Sequence, residues 1–174
     1  DVQNTGAYYY DAVVWANDLK ITTGVGDGKF APDRGCTRDQ LVTFLWRAAG
    51  EPEPETTVNP FTDVKESDYF YKAVLWAVEN GVTTGKSETI FAPKETCTRA
   101  QIVTFIYRAA GKPKVDNAVN PFEDVAANAY YADAVLWAVE NGITTGKTAT
   151  RFAPSDTCTR GQGVTFLYRG IGLY

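Results

Sequence analysis

Histidine is absent from all 174 residues, and with it go the commonest general base and the commonest zinc ligand. That absence weighs against an enzyme. No run of about eighteen apolar residues exists to span a bilayer as a helix, and no basic stretch leads into an apolar one as a secretion signal requires. Basic charge is scattered. The 17 Lys and Arg face 21 Asp and Glu, for a net charge of −4 and a pI near 4.9, and no Lys/Arg block forms a stripe to track phosphates. Nucleic acid and anionic membranes are therefore poor partners. Cysteine is scarce: three residues, an odd number that leaves at least one thiol unpaired. Their spacing matches no zinc pattern, and a free Cys behaves as a small buried hydrophobe. The sequence opens on Asp1 without a Met, as a processed or excised piece of a larger protein would.

What is present points to a folded array. Hydrophobic residues make up 44% and charged residues 22%, enough apolar content to build a core and far from the composition of disorder. The chain superposes on itself. Trp15, Trp76 and Trp137 recur with an offset of 61, as do Phe30, Phe91 and Phe152, then Cys36, Cys97 and Cys158, then Arg38, Arg99 and Arg160, and finally Arg47, Arg108 and Arg169. Three copies follow: 1–60, 61–121 and 122–174. Copies two and three open on Phe-x-Asp-Val (Phe61 to Val64, Phe122 to Val125), whereas copy one starts at Asp1-Val2 and lacks the Phe. The polar, Pro-containing stretches 51–60 and 112–121 read as linkers.

Each copy carries two apolar runs with helical spacing. In copy two, Tyr69 to Asn80 places apolar residues at 70, 73, 74, 77 and 78, followed by Gly81, where a left-handed cap commonly ends a helix. Copy one has Lys20 at that place, so its first helix is expected to end differently. The second run, Thr98 to Ala110, begins with a capping box in which Thr98 and Gln101 satisfy each other's backbone amides; Thr37 with Gln40 and Thr159 with Gln162 repeat it. Two short helices and a loop bury too little to stand alone, so the copies must pack on one another.

These residues resemble a known family. FTDVKESDYFYKAVLWAVENGVTTGKSETIFAPKETCTRAQIVTFIYRAAG in copy two and GVGDGKFAP in copy one are similar to the S-layer homology module, and the likeness covers nearly the whole chain. The resemblance implies an all-α fold in which three two-helix modules pack as a pseudo-threefold, spindle-like bundle with ligand grooves between neighbours. It also implies a function: non-covalent anchoring of a bacterial surface protein to secondary cell-wall polysaccharide, an acidic and often pyruvylated glycan, outside the cell. The family's Thr-Arg-Ala-Glu signature falls on Thr37-Arg38-Asp39-Gln40, Thr98-Arg99-Ala100-Gln101 and Thr159-Arg160-Gly161-Gln162, with Gln in place of Glu each time. Losing that carboxylate is expected to free the Arg to pair with a ligand.

The physical chemistry of the signature fits an anion. A helix N-terminus presents unpaired amides and a positive dipole end, and an Arg beside it adds a planar fork for a carboxylate. The candidate ligand-binding residues are thus Thr37, Arg38, Gln40, Thr98, Arg99, Gln101, Thr159, Arg160 and Gln162. Gly24, Gly85 and Gly146 join them because their loops allow close backbone approach, as do Lys86 and Lys147, which add charge where copy one has Val25. The competing readings are that the Arg bridges to a neighbouring module and that Thr and Gln serve only as caps. Trp15, Trp76 and Trp137 are candidates for sugar stacking, although an indole inside a helix is more often core. Asp63 and Asp124 read as turn or cap residues. No catalytic residues, no metal and no cofactor are expected. A second reading keeps the scaffold for protein–protein assembly, with Tyr8-Tyr9-Tyr10 as a contact surface; a glycan hydrolase lacks the required acid and base.

Overall fold

The computed structural model describes residues 1–115 and 119–170, so the remainder of the second linker and the end of copy three lie outside the described residues. Among the described residues the chain is all-α, with helices α1 (Tyr10–Asp18), α2 (Arg38–Ala48), α3 (Tyr71–Glu79), α4 (Arg99–Ala109), α5 (Ala132–Glu140) and α6 (Arg160–Gly170). The three second helices, α2, α4 and α6, touch one another pairwise at the centre. Their inward faces bury Leu41, Leu45, Ile102, Ile106 and Leu167 completely; removing an aliphatic side chain of that size from water is worth about 2–3 kcal/mol.

The outer helices pair across copies rather than within them. α3 lies on α2, α5 on α4, and α1 returns to α6, which closes the array into a ring. Each module therefore completes its neighbour's core. At the axis the Cys36 N–H donates to the Cys158 carbonyl (2.9 Å), Cys97 to Cys36 (2.8 Å) and Cys158 to Cys97 (3.0 Å). This closed circuit of backbone hydrogen bonds defines the pseudo-threefold axis. The three thiols are fully buried and unpaired. Burial pushes the Cys97 and Cys158 thiols up to about 12 and raises Cys36 as well, so all three stay protonated and unreactive.

The helix ends follow local chemistry. Gly81 and Gly142 close α3 and α5 at φ +64° and +67°. Contrary to the expectation for copy one, α1 ends in the same way: Lys20 takes φ +59°, and its N–H donates to the Asn17 carbonyl at 3.0 Å, as Gly81 donates to Val78. Packing of α1 on α6 holds the chain in this path and imposes on Lys20 a conformation that a Cβ disfavours. Lys20→Gly is accordingly expected to stabilise the protein by about 0.5–1 kcal/mol, read as a rise in urea midpoint at constant slope.

Candidate functional site

The second helix of each copy starts beneath the Phe-Ala-Pro loop of the next. Thr98 and Thr159 cap α4 and α6 in the anticipated way, Gln101 N–H donating to Thr98 Oγ1 (3.3 Å) and Gln162 N–H to Thr159 Oγ1 (3.2 Å). The return bonds run from the Thr98 and Thr159 amides to the Gln side-chain oxygens. The remaining early amides are not open. Arg38 and Asp39 donate to the carbonyls of Glu95 and Pro93, Arg99 and Ala100 to those of Asp156 and Pro154, and Arg160 and Gly161 to those of Arg34 and Pro32, all at 2.8–3.1 Å. The expectation of free helix-terminal amides is thus corrected: the neighbouring loop occupies them, so an anion must be held by side chains.

The signature arginines need a similar correction. Arg38, Arg99 and Arg160 are 4%, 4% and 1% exposed rather than projecting from a cleft mouth. Their Nε–H groups donate to the carbonyls of Phe91 (2.7 Å), Phe152 (2.9 Å) and Phe30 (2.8 Å) of the next copy. Each guanidinium lies between two rings, Arg160 between Phe30 (4.5 Å) and Phe44 (5.4 Å), Arg38 between Phe91 and Phe105, and Arg99 between Phe152 and Phe166. Burial pulls their pKa values down from the ordinary arginine value, yet a guanidinium keeps its charge in proteins. One nitrogen of each, Nη2, is buried without a hydrogen-bond partner.

The loop that receives each arginine is itself clamped. Asp1, Asp63 and Asp124 accept the N–H groups of Phe30 and Ala31, Phe91 and Ala92, and Phe152 and Ala153, at 2.7–2.9 Å. The three alanines sit at φ +57° to +59°, a strained position that the carboxylate clamp holds. Gly85 and Gly146 also prove structural. A Cβ there would lie 2.4 Å from Cε1 of Phe61 or Phe122, so the glycine lets the opening Phe of copies two and three cover the loop. Copy one has no such ring, and a hollow of about 290 Å³ beside Gly24 and Phe30 opens in that region.

A larger cleft of about 580 Å³ opens at the start of α2 and draws on all three copies. Copy one supplies Thr22 to Gly26, Arg34, Thr37, Asp39, Gln40, Thr43, Phe44 and Arg47; copy two adds Tyr69 and Lys94, and copy three adds Arg160. Of the residues singled out in the sequence, Thr37, Gln40, Gly24 and Arg160 line this cleft, whereas Arg38 belongs to the seam with copy two. Asp39, almost fully buried, organises one wall. Its Oδ1 accepts the Thr37 hydroxyl and the Gln40 N–H (2.8 Å), and its Oδ2 accepts Tyr69 Oη (3.0 Å) and Lys94 Nζ (2.7 Å). Burial first, then the Asp39 charge, raises the Tyr69 phenol well above its usual value, keeping it a donor. Lys86 and Lys147 are not free: they pair with Glu95 and Asp156.

The tryptophans divide. Trp76 and Trp137 are 9% and 3% exposed, with Trp137 packed on Tyr107 at 5.5 Å between centroids; neither offers a face to a sugar. Trp15 is half-buried against Tyr168 (5.3 Å) and lines a shallow depression between α1 and α6. The most exposed aromatics among the described residues are instead Tyr8, Tyr69 and Tyr130, each set edge-on against the following ring.

The sequence pattern that defines the S-layer homology domain matches residues 1–42, 60–103 and 121–162. Among similar proteins, a surface-layer 125 kDa protein of Lysinibacillus sphaericus is 40% identical over 109 residues, 63% of this chain and 9% of its own length. An endoglucanase of a Bacillus species is 35% identical over 115 residues, 66% of this chain and 12% of that protein. A cellulosome-anchoring protein of Acetivibrio thermocellus is 27% identical over 124 residues, covering 70% of this chain and 28% of that protein. The chain thus spans only a small part of each of these relatives.

Proposed function

Because the chain belongs to the S-layer homology family, we propose that it holds a larger protein onto the bacterial wall by gripping an acidic polysaccharide in the clefts between copies. It is an anchoring module of the cell surface, in the company of surface-layer and anchoring proteins. The endoglucanase among its relatives is a far longer protein, of which the matching part is 12%.

One observation carries the finer reading. In a chain of net charge −4, the α2 cleft gathers Arg34, Arg47, Lys94 and Arg160 against the single carboxylate of Asp39. Its volume lies within the range that holds small ligands. A sugar bearing a carboxylate, such as a pyruvate ketal, suits it: the acid meets the cations, and the hydroxyls meet Thr22, Thr37, Gln40 and Tyr69. A charge-assisted hydrogen bond of this kind is worth roughly 1.5–3 kcal/mol.

The test is co-sedimentation of the purified chain with cell-wall sacculi. Binding is expected to disappear when the secondary polysaccharide is stripped from the peptidoglycan, and to weaken as salt rises, because exposed charges are screened. The exposed Tyr8, Tyr69 and Tyr130 (57%, 57% and 65%) favour a second reading, protein–protein assembly on the surface; binding that survives stripping supports it.

A further inference from the structure

The three seams between copies share a plan but not a charge pattern. In copy one the two lips of the cleft carry Val25 and Arg34. The positions 61 residues on carry Lys86 and Glu95, and those of copy three carry Lys147 and Asp156. In both later copies these two residues form an ion pair. Copy one has neither half of that pair. Arg34 is exposed and forms no salt bridge among the described residues, so its guanidinium is free to meet a ligand.

The opposite wall differs as well. Only copy one has a carboxylate, Asp39, at the second position of its second helix, where copies two and three have Ala100 and Gly161. Asp39 fixes Lys94 at 2.7 Å, and the ammonium also lies 5.1 Å from the Phe70 ring centre. The residues matching Lys94 at the other two seams are Ser155 and Asp33, neither of them a cation. At the floor lies Arg160, 1% exposed, with its Nη2 unpartnered. An anion approaching the α4 or α6 seam must displace a carboxylate from its lysine, and it meets like charge there. In the α2 cleft an anion meets Arg34 without such a pair to break, beside Lys94, which Asp39 holds in place.

Resting on the anchoring reading above, we propose that the α2 cleft is the one high-affinity site for the acidic group of the wall glycan, and that Arg34 and Lys94 set this preference. The α4 and α6 seams are closed to the acid by their own ion pairs. They serve as scaffold, or as contacts for neutral sugars of the same polymer.

The experiment is isothermal titration of the whole chain with a hexosamine disaccharide carrying a pyruvate ketal, and with its depyruvylated form as control. The wild type is expected to bind one ketal-bearing disaccharide per chain and the control at least about tenfold more weakly, the size of one lost charge-assisted contact. The double variant Val25→Lys/Arg34→Glu installs the ion pair of copy two; both side chains are outside the core, so the fold, checked by circular dichroism, should persist. Its affinity for the ketal is expected to fall at least about tenfold as well. The reciprocal Lys86→Val/Glu95→Arg is expected to add a second, weaker site. Wild-type affinity in the Val25→Lys/Arg34→Glu variant, or a stoichiometry near three in the wild type, overturns the assignment to α2 while leaving anchoring intact. Absence of any saturable binding to either disaccharide overturns both.

Discussion

Replacing Arg160 by Ala is expected to destabilise the protein by about 3 kcal/mol. The Nε–H bond to the Phe30 carbonyl spans 130 residues of sequence and helps to close copy three onto copy one. Its loss forfeits a charged hydrogen bond of roughly 1.5–3 kcal/mol and a desolvated cation–π sandwich of about 2 kcal/mol, and it leaves a cavity. Part of this is returned, because the buried charge with its unpartnered Nη2 carries a desolvation cost that the alanine does not. Arg160→Met separates the contributions. It keeps most of the volume and discards the charge, so it is expected to cost about half as much, chiefly through the unpaired carbonyl of Phe30. Urea unfolding of the two variants checks this, and a cost below about 1 kcal/mol for Arg160→Ala would remove the arginine as a seam rivet. The same substitution at Arg38 or Arg99 should behave alike, since each repeats the geometry at its own seam.

Asp124→Ala is expected to cost about 2–3 kcal/mol at neutral pH. The carboxylate accepts the Phe152 and Ala153 amides at 2.9 and 2.8 Å and faces Arg151 at 3.8 Å. Burial alone would raise its pKa, but the backbone N–H donors and the guanidinium outweigh it and leave the group below the ordinary aspartate value. A carboxylate whose folded pKa is depressed contributes stability above its unfolded pKa, about 4, and loses that contribution as pH falls through the folded value. The gap between wild type and Asp124→Ala should therefore be constant from pH 7 to about 5 and narrow below about 4. Asp124→Asn retains one acceptor and should recover part of the loss without that pH dependence.

Much of the architecture was legible from the 61-residue offset and from local helix chemistry. Thr98 and Thr159 cap as read, and the six helices fall within the two runs marked in each copy. Helix pairing was not legible, because periodicity tells which face is apolar and not whose face covers it. The signature arginines were found but misjudged. An Arg at the first position of a helix normally points outward, and only the Phe carbonyl and rings of the next copy make burial favourable here. Lys20 was read as a departure because a lysine disfavours positive φ, and tertiary packing overrode that preference.

The cleft itself was half legible. Thr37, Gln40 and Gly24 are shared by the copies and stood out in the superposition. Arg34, Asp39, Tyr69 and Lys94 come from two copies, and Arg34, Asp39 and Lys94 change identity from one copy to the next. A search for repeated residues passes over such positions. The missing signal lay in the differences between copies: a Val where the others have Lys, an Arg where they have an acid.

The measurement that bears most directly on the central claim is a titration of the isotopically labelled chain with the acidic wall polysaccharide, followed by amide and arginine side-chain resonances. Saturable shifts at Thr23, Gly24, Thr37 and Gln40 and at the Arg34 side chain, reversed by removing the polymer's acidic groups, are the predicted result. Shifts that leave these groups unmoved, or none that saturate, would contradict it.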